Sequence, residues 1–171
     1  GDLAGALAHF DAARAKLRTR AARSAAAGFV TPGLTANRAY TLAALGRADE
    51  AAAELAHLPP DYLFLARMRF VVPLVAFLAR GDVDGAGRLV LATSPDLSVG
   101  ARDELMRDLV HAVASPAATG AGEIARLREE LRDREETRRW IEKVAPTLLS
   151  RFEHAQGHDA AADGASDAAA D

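Results

Sequence analysis

The chain has no cysteine, which excludes disulfides, thiolate zinc sites and a cysteine nucleophile. Lysine is almost missing: Lys16 and Lys143 stand alone, and arginine carries the remaining positive charge. Together with the alanine, glycine and proline load, that bias points to a GC-rich bacterial gene. Charge of one sign is lacking too. The net charge of −3 leaves no basic footprint for nucleic acid at the level of the whole chain. The longest apolar run, residues 70–79, is fenced by Arg69 and Arg80. A bilayer-spanning helix needs about 20 apolar residues, so this run reads as a buried core helix. No signal peptide is visible, and the expected compartment is the cytoplasm. Valine and isoleucine never alternate with polar residues over the length of a strand.

What remains is a chain that is 50% hydrophobic, 26% charged and only 5% aromatic, dominated by Ala, Leu, Arg and Glu. Alanine loses almost no side-chain entropy in a helix, so the composition favours helices with thin, close-packed interfaces. The expected class is all-α. With 171 residues the chain can bury a core without covalent staples.

Local signals divide it. Asp2 caps a first helix running to about residue 27, which Gly28 and the Thr31-Pro32-Gly33 turn end. Thr35 opens a second helix to Leu45. Gly46 stops it, and a third runs from Arg47 to His57 before Pro59-Pro60. Asp61 caps a fourth to Ala79, kinked or restarted at Pro73; Gly81-Asp82 precedes a fifth from Val83 to Thr93. Ser98 caps a sixth up to Ala114. Residues 122–156 read as one long charged helix bent at Pro146, with Glu130–Arg134 and Glu135–Arg139 as i,i+4 pairs. Its apolar seam of Ile124, Leu127 and Leu131 meets Arg134 and Arg138 before Ile141, Ala145 and Leu148 resume it. That is too short for a coiled coil and suits a capping helix anchored by Trp140. Residues 157–171 carry Asp159, Asp163, Asp167 and Asp171 among small residues, and read as a solvated, disordered acidic tail.

Three short stretches share one pattern: Gly1-Asp2-Leu3-Ala4-Gly5-Ala6, Gly46-Arg47-Ala48-Asp49-Glu50-Ala51 and Gly81-Asp82-Val83-Asp84-Gly85-Ala86. The later two glycines lie 35 residues apart and the first two 45 apart. Two antiparallel helices joined by a tight turn need a left-handed residue, which glycine supplies without a Cβ penalty. The alanine five residues on sits where the helices approach most closely. Repetition at this period signals a stack of helix pairs.

On these residues the chain resembles the tetratricopeptide repeat over about residues 1–96. The first unit offers Gly1, Ala6, Phe10 and Ala13, the second Gly46, Ala51, Leu55 and Leu58, and the third Gly81, Ala86, Val90 and Thr93. The resemblance implies a short α-solenoid over residues 1–114, with the first unit truncated, so that the chain is a piece of a longer array. It also implies a concave surface that holds a partner peptide or helix. By register this surface includes Asn37, Tyr40, Ala44, Val71, Val72 and Val75. Asn37 stands where some members clamp a terminal carboxylate, but Met68 and Val72 occupy the matching places in the third unit, so no clamp is expected.

Chemistry-bearing arrangements are sparse. Arg67 and Arg69, with Arg80 and Arg88 nearby, could meet an acidic partner, although helix arginines are more often solvated or paired. His154 and His158 have the spacing of a metal pair, yet Gly157 interrupts their helix and no metal or cofactor is expected. Asp49-Glu50 suits a helix N-terminus rather than catalysis. Residues 81–87 lack the strand and the Lys-Ser/Thr of a phosphate loop. The expectation is a non-enzymatic protein-interaction scaffold without nucleic-acid or membrane partners. The alternative is a regulatory or sensor segment of a larger bacterial signalling enzyme or transcription regulator.

Overall fold

The computed structural model describes residues 2–21 and 27–154. The acidic segment 157–171, Gly1 and His158 lie outside the described residues. Within them the protein is all-helical: α1 (Leu3–Ala21), α2 (Ala27–Ala44), α3 (Ala48–Ala56), α4 (Leu65–Ala79), α5 (Val83–Ala92), α6 (Ala101–Ala114), α7 (Ala121–Asp133), α8 (Glu135–Val144) and α9 (Pro146–His154), with a 3-10 turn at Pro116–Ala118. No described helix is long and apolar enough to cross a membrane.

The glycine turns are alike in atomic detail. Gly46 has φ 74° and Gly81 φ 75°, the only positive values among the described residues. At each, the glycine N–H donates to the carbonyl three residues back, Ala43 (2.9 Å) or Leu78 (3.0 Å). The next N–H donates five residues back, Arg47 to Leu42 and Asp82 to Phe77, both at 2.9 Å. This double closure satisfies carbonyls that a helix end leaves open, and it reverses the chain. The following helices start alike as well. Asp2 Oδ1 accepts from the Gly5 N–H at 3.0 Å and Asp82 Oδ1 from Gly85 at 2.8 Å. In the middle turn Arg47 holds Glu50 instead. Ala51 and Ala86 are buried, so the α2–α3 and α4–α5 pairs close on small side chains.

Stacking follows from which faces are apolar. α4 touches α2, α3, α5 and α8, and its Phe70, Val71, Val72, Leu74, Val75 and Leu78 are all buried. A helix apolar nearly all round must be covered nearly all round. Each such leucine contributes about 1.5–3 kcal/mol relative to exposure. Among the first three helices a polar knot adds to the apolar packing of Leu7, Ala39, Leu42 and Ala51. Buried Glu54 on α3 accepts from Arg14 of α1 (2.8 and 3.1 Å) and from Arg38 of α2 (2.5 Å), while Arg38 also reaches Asp11 (2.7 Å).

Asp61 and Ser98 do not cap their helices, since Phe64 precedes α4 and Gly100 precedes α6, and two larger expectations are corrected. α2 begins at Ala27 and runs through Pro32 and Gly33, so the expected 28–33 turn is part of a helix. Proline already has a helical φ and forfeits one backbone hydrogen bond, a loss that a helix anchored by buried Thr35, Ala36, Ala39, Leu42 and Ala43 can absorb. The single helix over 122–156 is instead three short ones, broken at Arg134 (φ −106°, ψ 62°) and Ala145 (φ −133°, ψ 50°). The breaks let Leu127, Leu131, Ile141, Val144, Leu148 and Phe152 all enter the main core, which one straight rod could not do. α9 packs on α6, and α8 reaches back to α4.

Candidate functional site

Four helices bring one residue cluster together. Tyr40 comes from α2, Arg67 from the first turn of α4, Arg102 and Asp103 from the first turn of α6, and Trp140 from α8. Asp103 sits at the helix N-terminus, where the dipole favours a carboxylate, and is only 2% exposed. Its Oδ1 accepts the Tyr40 hydroxyl at 3.1 Å, and its Oδ2 accepts Arg67 Nη2 at 2.9 Å. Gly100 caps α6 with no side chain; a Cβ there would stand 2.6 Å from Arg67 Nη2.

Arg102 is held differently. Its guanidinium carbon lies 4.4 Å from the Trp140 ring centroid and 5.0 Å from that of Tyr40, and the two rings stack 5.9 Å apart at 31°. Contact with two aromatic faces fixes the plane of the group. Its Nε approaches Asp103 Oδ1 at 3.7 Å, an ion pair too long for a hydrogen bond. The Nε atoms of both Arg67 and Arg102 are buried without an acceptor. Two cations against one carboxylate leave one positive charge uncompensated. Burial pushes the Tyr40 phenol well above its ordinary value; the Asp103 charge adds to this and Arg102 opposes it.

Tyr40, Arg67, Arg102 and Asp103 form one wall of a cleft of about 320 Å³ between α2, α4 and α6, with Trp140 behind them. Met68 and Val71 line its α4 side, and Tyr62 and Phe64 stand edge to face, 5.9 Å apart, on the α3–α4 connection. Beside it Leu63 and Phe64 expose 84% and 49% of their surface, a local concentration of apolar area open to solvent. The arrangement places two partly exposed guanidinium groups, Arg67 and Arg102, beside aromatic and apolar walls, a mix found in binding clefts. Asp103 is fully engaged and buried, so it cannot reach a bound molecule as a base.

Of the six surface positions expected from the sequence, Asn37, Tyr40 and Val71 line this cleft. Ala44, Val72 and Val75 do not; they are buried in the main core, as Val71 itself is at 1% exposure. The reason is the position of α4, packed by α2, α3, α5 and α8, which leaves its valines no open face. Arg67 is in the site. Arg80 instead folds over Phe77 and bonds Ala76 of its own helix, and Arg69 and Arg88 lie outside the cleft. Sequence reasoning missed Arg102 and Asp103; the available signal was an Arg-Asp pair one residue beyond Gly100 at a helix start. Among the described residues no group of three or more His, Asp or Glu could hold a metal. No family model matches the chain, and no curated protein or solved structure matches it either.

Proposed function

We propose that the protein is a non-enzymatic interaction module, a tetratricopeptide-like helical scaffold that holds a partner peptide or helix in the cleft between α2, α4 and α6. The observation that carries this reading is Arg102, whose plane is fixed by Tyr40 and Trp140 while its side chain lines the cleft and keeps 40% of its surface open to solvent. A receptor group oriented before binding loses little entropy on binding. The exposed Leu63 and Phe64 beside it supply the apolar area such an interface needs at its centre.

The test begins with peptides selected from a random phage-displayed library against the full chain. Arg102→Glu and Phe64→Glu, each with its helical circular dichroism intact, are expected to weaken the selected peptides at least about tenfold. Selected peptides that bind both variants as well as the parent would refute the reading.

A further inference from the structure

A second cleft, of about 260 Å³, lies between α7, α8 and α9, away from the first. Its inner lining is Leu131, Leu149 and Phe152, and its rim carries Arg128, Arg132 and Arg138, with Glu153 at one edge. The arginines around it are largely spent. Arg126 holds Asp108, Glu123 and Glu130, Arg138 holds Glu142, and Arg139 holds Glu135. Arg128 and Arg132 make no ion pair or hydrogen bond to a described residue. They stand one turn apart on α7, where like charges repel each other. Two cations at i,i+4 that pair with no described residue thus repel each other weakly in the free protein, and a bound anion would relieve that repulsion.

We infer that this cleft is a docking surface for a short acidic segment of a partner protein that carries a bulky apolar residue between its carboxylates. Side chains at i,i+4 have Cβ atoms about 5–6 Å apart, so carboxylates one helical turn apart on a partner match the two guanidinium groups. The apolar floor calls for a side chain to cover it. A nucleic-acid backbone fits poorly, because the cleft offers two such cations over an apolar floor and not the continuous row of them that a run of phosphates would meet. The chain's own segment 157–171 is acidic but has no large apolar residue, so it lacks the anchor.

The probe is a fluorescein-labelled, amidated dodecapeptide with glutamates at i and i+4 flanking one phenylalanine, titrated into the full-length chain at low salt. Binding is expected to fall about tenfold or more in Arg128→Gln/Arg132→Gln, whose exposed, unpaired side chains leave the fold intact. Replacing the peptide's phenylalanine by alanine should weaken it several-fold, and replacing its glutamates by glutamine should abolish binding. In amide NMR spectra the shifts should fall on α7–α9. The inference is overturned by equal affinity for the double variant, by no binding up to millimolar peptide, or by shifts centred on Arg102. A peptide of sequence 157–171 binding as tightly as the phenylalanine peptide would also overturn it, because charge alone would then suffice.

Discussion

Replacing Asp103 by Asn tests whether the cleft is held together by its buried carboxylate. The amide is isosteric and keeps one acceptor for the Tyr40 hydroxyl, but it turns an N–H donor or an uncharged oxygen towards Arg67 Nη2, now 2.9 Å from Oδ2. A hydrogen bond to a charged group is worth about 1.5–3 kcal/mol, and breaking a fully buried ion pair costs about 3–5 kcal/mol. The larger figure does not apply, because the Arg67 and Arg102 side chains are 37% and 40% exposed and water can hydrate them. The expected loss is therefore about 1.5–3 kcal/mol, which lowers the melting temperature by roughly 3–12 °C for a chain of this size. Urea denaturation followed by circular dichroism measures the global change. Emission of Trp140, the only tryptophan, reports from within the cluster. A cycle with Arg67→Met should show a coupling of about 1 kcal/mol or more between the two positions. Single changes that add to within about 0.5 kcal/mol, or an Asn variant as stable as the parent, would refute the electrostatic account of the site.

Three further outcomes follow from the same geometry. Gly46→Ala and Gly81→Ala force a Cβ onto positive φ and should each destabilise by about 1 kcal/mol, Gly81 more because that Cβ meets Thr147 Oγ1 at 3.2 Å; D-alanine at position 46 should instead stabilise, as urea titration of a semisynthetic chain would show. The raised Tyr40 pKa leaves stability unaffected below pH 10, where folded and unfolded chains both keep the proton. Above it the unfolded chain ionises first, stability falls by at most about 1.4 kcal/mol per pH unit, and Tyr40→Phe should show a shallower alkaline decline in denaturant midpoints. Asp84 accepts from Arg151 of α9 at 2.6 Å, which holds its carboxyl below the ordinary 3.8, so this contact supports the fold above that range and fades as pH falls through the lowered value; carboxyl carbon NMR should show the titration return to normal in Arg151→Ala.

The parts of the fold legible in the sequence are those written in a few neighbouring residues. Gly46 and Gly81 specify a left-handed residue at the end of an apolar helix, and Asp2 a cap three residues before Gly5; both features depend on local chemistry alone. Where local and distant signals compete, reading along the chain fails. Pro32 and Gly33 look like a turn, yet α2 continues through them because its C-terminal half is fixed by burial. In residues 121–154 the i,i+4 charge pairs argue for one rod, while Ile141, Val144 and Leu148 demand cover, and the demand for cover sets the breaks. The cleft was only half legible. Tyr40 and Arg67 stood out by residue type, but their meeting with Asp103 and Trp140 depends on separations of 36 to 100 positions that no window can see.

The same separations tie α8 to the wall of the α2–α4–α6 cleft through Trp140, which packs on Tyr40 and Arg102. α8 has ten residues between two backbone breaks, a length at which an isolated helix is marginal in water. Its persistence rests on Ile141 and Val144 in the core and on Trp140 against Tyr40 and Arg102. Undocking α8 would free the Arg102 guanidinium from one of its two rings and release the orientation that recruits a ligand. A partner that needs Arg102 in its fixed plane therefore binds the docked form more tightly than the undocked one. By linkage it must favour α8 docking by the same free energy.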